Sequence, residues 1–331
     1  MTVPLSALPA VQEGLDLVDA EVLRLATGSE VAGMDVAVRQ LLATGGKRMR
    51  SVLLLLTHRT FGGAPTGAEI TAAAAVEMVH AGSLAHDDLM DEATERRGVR
   101  TVNDQYGTDM AVMVGDRLLA RAGQAALSVS PQVASELIQS LVELIEGQVM
   151  EMTDAYDPGR TEERAHRSIS LKTGTLFRSG CVIGALTAGV TGAEVELARR
   201  YGDRFGASFQ VLDDLLDLVS TTELLGKPVG NDLRQGTYTV PLLRALRRPE
   251  LAWIADVLAR DGRQLTDDQV DTVLAALKQG PFIDDTLDYV RALAGAAAAV
   301  FDEPGVPAGD WSVLQKLPLE YIDWAESLIS R

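Results

Sequence analysis

The sequence predicts an all-α fold, a single large helical bundle around a central cavity. Long segments are rich in alanine and leucine, which favour helix. Aromatic residues make up only 5% of the chain. No segment alternates Val, Thr and Tyr between turn residues as a half-buried strand does. With 331 residues and 47% hydrophobic content the chain can bury a large core. No interior stretch reads as a linker, so residues 1–331 read as one domain.

Each helix has its own signal. Leu15–Leu25 is amphipathic and closes at Thr27-Gly28-Ser29, and Met34–Leu42 follows. Gly45-Gly46-Lys47-Arg48-Met49-Arg50 is a glycine-opened basic turn that feeds a helix from Ser51 to about Arg59. After the loop Phe61–Gly67, an apolar helix runs from about Ala68 to Asp91. Helix is predicted again over Met110–Ala126 and Val133–Met152, separated by Ser128-Val129-Ser130-Pro131. From Thr161 one helix is expected to pass Arg178 and Cys181 and to end near Gly189. Glu194–Val219 is another, followed by a polar loop over Thr221–Thr239 and further helices from Pro241.

Composition narrows the function. A formal net charge of −17 opposes nucleic acid and anionic membranes as partners, and it makes local basic clusters informative. No apolar run is long enough to span a bilayer. The one cysteine, Cys181, cannot form an internal disulfide, and no leader resembles a signal peptide, so a reducing cytoplasm is expected.

The organising stretch is His86–Gly98. On a helix Asp87 and Asp91 share a face one turn apart, and Asp88 lies beside them. Carboxylates so placed repel one another unless a cation joins them. Two or three such ligands, with room for water and phosphate oxygens, suit Mg²⁺. Arg96 and Arg97 follow, where they could grip the same phosphates. Asp213-Asp214-Leu215-Leu216-Asp217 repeats the spacing in a second apolar helix. Two such helices suggest facing carboxylates across a shared cavity, as helical bundles arrange core metal sites. His80 lies two turns before Asp87 on the same face, which favours a binding role; His86 is off that face and reads as structural.

Taken together, the motifs resemble those of the trans-isoprenyl diphosphate synthases, the polyprenyl synthetase family. The resemblance runs from about Leu41 to Leu243. It rests on Gly45-Gly46-Lys47-Arg48-x-Arg50, Glu77-x-x-His80, Asp87-Asp88-x-x-Asp91 with Arg96-Arg97-Gly98, and Gly115-Asp116. Further along come Glu146-Gly147-Gln148, Lys172-Thr173, Phe209-Gln210-x-x-Asp213-Asp214-x-x-Asp217 and Gly226-Lys227-x-x-Gly230-Asn231-Asp232.

The resemblance implies the isoprenoid synthase fold and a Mg²⁺-dependent prenyltransferase. In this family an allylic diphosphate ionises, the double bond of isopentenyl diphosphate attacks the cation, and a proton is lost. By similarity, Asp87 and Asp91 hold two Mg²⁺ ions and Asp213 a third, with Asp88, Asp214 and Asp217 supporting them. Arg96, Lys172 and Lys227 would cap the allylic diphosphate, with Thr173 and Gln210 also lining its site. Lys47, Arg50, His80 and Arg97 match the isopentenyl diphosphate site, where cationic donors bind without promoting departure. A homodimer is the family's usual state.

Two departures stand out. Ser51 replaces a frequent proline, and Thr237 stands where a lysine usually contacts the leaving diphosphate. Val79, Gly82 and Ser83 would line the tail channel. Small residues at 82 and 83 predict an open floor and a product of twenty carbons or more, any stop coming from Met110, Met113 or Arg117. The alternatives are a class I terpene cyclase, which has no need of Lys47, Arg50 and His80; a non-catalytic subunit, which commonly loses an aspartate motif; and a generic divalent-cation-binding bundle, which leaves the basic residues unexplained.

Overall fold

The computed structural model describes residues 9–31, 33–220, 229–306 and 309–329. In chain order the helices are α1 (Pro9–Ala26), α2 (Met34–Ala43), α3 (Met49–Thr60), α4 (Ala68–Met90), α5 (Val102–Tyr106), α6 (Thr108–Val129) and α7 (Pro131–Thr153). Then come α8 (Glu162–Ile169), a π-helical turn (Ser170–Gly174), α9 (Thr175–Thr187), α10 (Ala193–Val219), α11 (Asn231–Gln235) and α12 (Val240–Leu246). The last are α13 (Trp253–Asp261), α14 (Asp267–Leu277), α15 (Phe282–Ala298) and α16 (Ser312–Ile329). The all-α class is as predicted, and no described helix is long and apolar enough to cross a membrane.

The chain divides into two compact units: residues 1–142, 176–202 and 300–317, and residues 143–175, 203–299 and 318–331. In the first unit α4 is the core element. Ala72–Ala75, Val76, Met78 and Val79 are all buried, so the helix is enclosed on nearly every side and shows little amphipathic stripe. In the second unit the lower part of α10 buries Phe205, Leu212, Leu215 and Leu216. Tyr238, Ile254, Val273, Phe282 and Val290 complete that unit's core.

Two local features differ from the sequence expectation. Strands were not indicated, yet β1 (Glu95–Arg96) and β2 (Val99–Arg100) pair antiparallel, with Arg96 opposite Val99. Arg97 and Gly98 between them have φ of 51° and 75°, the left-handed pair that a two-residue hairpin turn demands. Arginine in that position is a weak turn signal, which is why periodicity alone gives a loop.

The helix expected from Thr161 to Gly189 runs without a break from Glu162 to Thr187, but it is not α-helical throughout. Its middle turn widens into the π-helical segment, which carries Lys172 and Thr173. Gly147 of α7 makes room for it: a Cβ there would lie 2.4 Å from the Lys172 backbone nitrogen.

Candidate active site

In the first unit the three aspartates at the end of α4 separate by environment. Asp88 is 2% exposed and takes the Arg96 guanidinium at 2.7 Å, so it is a buried anchor for Arg96. Asp87 is half-buried, and Asp91 is exposed at the helix C-cap, where its N–H donates to the Asp87 carbonyl at 2.9 Å. The outward pair is therefore Asp87 and Asp91. Asp88 fixes the arginine beside them.

A basic cluster lies in the same unit. Arg50, Arg97, Arg96 and Arg48 all bear electrostatically on His80. Desolvation first, and these four guanidinium groups after it, hold the imidazole well below its ordinary value. That shift favours the neutral imidazole at pH 7, which offers a single N–H. Arg50 lies over the Phe177 ring at 4.7 Å. The Arg97 guanidinium, turned back by its hairpin, donates to the carbonyls of Gly45 and Thr44. That contact brings Arg97 to the turn that carries Lys47, an exposed side chain.

The second aspartate motif belongs to the other unit. Asp213 is exposed, whereas Asp214 is 4% and Asp217 2% exposed. Asp214 accepts a hydrogen bond from Gln210 Nε2 at 2.7 Å. Its carboxyl is pushed well above the usual range by desolvation first, then by Asp232, with Asp213 and Glu151 adding repulsion and Gln210 opposing. Asp217 accepts from the Asp232 N–H at 3.2 Å, and its carbonyl accepts from the Gly230 N–H at 2.9 Å. It therefore anchors the Gly230-Asn231-Asp232 turn. Lys172 donates to Glu151 at 2.6 Å. Glu151 thus pairs with Lys172 and also bears on Asp214, which Gln210 holds and Asp213 adjoins. Lys227 lies outside the described residues.

The channel residues divide. Val79 is buried and Ser83 is half-buried, its hydroxyl donating to the His80 carbonyl at 2.9 Å. Gly82 does not open a floor, contrary to expectation. A Cβ there would lie 3.0 Å from the Gly115 carbonyl and 3.2 Å from Leu119, so the missing side chain is used for close approach of α4 and α6. Met113, expected as a stop, is exposed. Gly115 in turn seats His86, whose Nε2 lies 3.3 Å from the Val112 carbonyl and 3.6 Å from Asp116. These contacts turn His86 toward α6.

Among the described residues no group of three or more His, Cys, Asp or Glu side chains is placed to hold a metal ion. Exposed carboxylates backed by buried partners instead suit an ion whose remaining ligands come from water and phosphate. A profile of the family described as Polyprenyl synthetase matches residues 32–277. The chain belongs to the polyprenyl synthetase family. It is a prenyltransferase of the chain-elongating kind.

Among its relatives in that family, nonaprenyl diphosphate synthase of Mycobacterium tuberculosis is 32% identical over 92% of this chain and 95% of its own. Octaprenyl diphosphate synthase of Haemophilus influenzae is 34% identical over 75% of each chain. A polyprenyl synthase from Caulobacter crescentus, solved in complex with calcium and isoprenyl diphosphate, superposes with a TM-score of 0.87. It is 31% identical and is matched over 99% of this chain and 97% of its own.

As a polyprenyl synthetase, the chain absorbs the change at Ser51 by giving its N–H and hydroxyl to Glu77. Thr237 is half-buried, and its N–H donates to the Asp232 carbonyl at 2.9 Å. Motif reading gave no role to Glu77 and passed over Glu151 and Tyr321. Tyr321 of α16 stacks on Phe209 with ring centroids 5.0 Å apart. Burial raises its hydroxyl, with Asp213 adding to the effect. Nothing local in the sequence marks Glu151 or Tyr321, because both meet the motif only through packing.

Proposed function

We propose that this polyprenyl synthetase condenses isopentenyl diphosphate with an allylic diphosphate to give an all-trans polyprenyl diphosphate of twenty carbons or more, with residues 1–331 acting as one catalytic domain. The observation that carries the reading is the sorting of side chains. Each aspartate motif keeps outward carboxylates on buried supports, while a separate cluster of guanidinium groups surrounds His80.

Asp87, Asp91 and Asp213 hold Mg²⁺, three ions when diphosphate is bound. Mg²⁺ held there would supply Lewis-acid neutralisation of charge on a departing diphosphate. Two outward carboxylates one turn apart fit an ion that keeps several water and phosphate ligands. Asp88 holds Arg96 ready for the allylic diphosphate. Lys172 leaves Glu151 for the same anion, with Thr173, Gln210 and Lys227 assisting. Lys47, Arg50 and Arg97 bind the second diphosphate without metal, so its ester bond is not activated. Neutral His80 donates one N–H there. Val79 and Ser83 line the tail channel. The Caulobacter relative, solved with calcium and isoprenyl diphosphate, supports a divalent ion and a prenyl diphosphate as ligands of the fold.

The assembly we infer is a homodimer in the cytoplasm, where the buried Cys181 stays reduced. On α7, Ile138, Val142, Ile145, Val149 and Met152 are 45–58% exposed and follow a 4-3-4-3 spacing, the seam by which two helices pair. Ile145→Glu should convert the dimer to monomer by light scattering, and an unchanged mass would remove α7 from the interface.

The reaction is tested by incubating the protein with Mg²⁺, isopentenyl diphosphate and each short allylic diphosphate, then chromatographing the dephosphorylated products. Elongated prenyl alcohols are expected only when both substrates are present. Turnover of the allylic diphosphate alone to hydrocarbons would instead identify a cyclase.

A further inference from the structure

We infer that Glu77 is a positioning residue for the isopentenyl diphosphate site, tying the Gly45–Arg50 turn to α4; the inference rests on the function proposed above. Glu77 is 2% exposed, and its carboxylate accepts three hydrogen bonds from one segment. The Ser51 hydroxyl donates at 2.8 Å, the Ser51 N–H at 3.3 Å and Arg48 Nη1 at 3.2 Å. A buried carboxylate is tolerated only with such donors, so turn and helix are locked to one another.

The lock is needed because the turn is strained. Arg48 adopts φ 51°, a left-handed conformation that a non-glycine residue keeps only when its surroundings enforce it. Its guanidinium is gripped from two sides, by Glu77 of α4 and by Asp19 of α1 at 2.9 Å. Arg48 stands between Lys47 and Arg50, so its backbone sets the direction in which both leave the turn. The Ser51 N–H is one of the first-turn donors that α3 cannot satisfy internally, and Glu77 takes it.

Glu77 is also three residues before His80 on α4. One buried group therefore sets the offset between the two parts of the site, the first turn of α3 with Arg50 and the α4 face with His80. Glu77 itself, enclosed and occupied, acts on the diphosphate through Lys47 and Arg50.

The test is Glu77→Gln in the full chain, which keeps the volume but turns an acceptor into a donor facing Ser51 or Arg48. The expected result is a rise of about tenfold in the KM for isopentenyl diphosphate, with the allylic KM within about twofold of the parent. Ser51→Ala, which removes one of the three donors, should give a smaller rise of the same selectivity, about threefold. Direct titration of isopentenyl diphosphate into each protein without allylic substrate should reproduce the order. Unchanged isopentenyl binding in Glu77→Gln overturns the inference, as does an equal rise in both KM values together with a lower melting temperature. Failure of the parent protein to bind isopentenyl diphosphate overturns the site assignment itself, and Glu77's role with it.

Discussion

The two aspartate motifs are spelled alike and built differently. At the end of α4 the middle aspartate, Asp88, is buried against a guanidinium, so the motif carries its own counter-ion. In α10 the middle aspartate, Asp214, is equally buried but faces Asp232, Asp213 and Glu151, and among the described residues the Gln210 amide is what opposes them. The third positions differ as well: Asp91 is exposed at a helix end, whereas Asp217 is spent on holding the Gly230–Asp232 turn. Asp-Asp-x-x-Asp thus sets which residues share a helix face, and the neighbours set what each carboxyl does.

The largest test of this contrast uses the outward residues. Asp87→Ala and Asp213→Ala should each lower kcat by about 10²–10³-fold, in line with losing one group that stabilises developing charge. Melting temperatures should barely move, since both side chains reach solvent. Steady-state kinetics with saturating Mg²⁺ measures this; full activity in either variant would separate that motif from the chemistry.

The middle positions should diverge in stability. Asp88→Ala strips Arg96 of its buried partner and should cost about 2 kcal/mol by denaturant unfolding. Asp214→Asn keeps an acceptor for Gln210 and removes a carboxyl that its surroundings disfavour, so its effect should stay below about 1 kcal/mol. Equal costs would mean that the two motifs are supported alike.

Proton linkage sharpens the account of the first unit's basic cluster. His80 has a lowered value in the folded state, so the unfolded chain binds its proton more readily. Its contribution is therefore present above the unfolded value of 6.5 and is lost as pH falls from there toward the folded value. His80→Gln should flatten this acid-side loss, read by denaturant unfolding between about pH 7 and 5. An identical pH profile in the variant would contradict the lowered value of the imidazole.

The smallest effect belongs to Thr237. Thr237→Lys adds a cation beside the Asp232 turn and should lower the allylic KM by about two- to fivefold, with no change for isopentenyl diphosphate. No change in either constant would show that the contact is irrelevant here.

Most helices were legible because their signals are local. Apolar periodicity, Gly28 and the Pro131 break lie close to the observed ends of α1 and α6. The hairpin at Arg97-Gly98 was not, since nothing but the pairing of four residues defines it. The π-helical turn at Lys172 depends on Gly147 of another helix. Gly82 misled for the same reason: a small residue can mark an opening or a close contact, and only the position of Gly115 and Leu119 chooses between them.

The amino-acid order alone determined the helical class, the family and the faces on which the acidic and basic groups fall, because 3.6-residue spacing and motif order are properties of the chain itself. Tertiary packing decided which carboxyls reach solvent, that His80 is neutral, that Glu77 grips the Gly45–Arg50 turn and that Gly82 is filled. Burial and charge pairing depend on segments far apart in sequence, and a buried acid or imidazole takes its protonation from whatever those segments bring beside it.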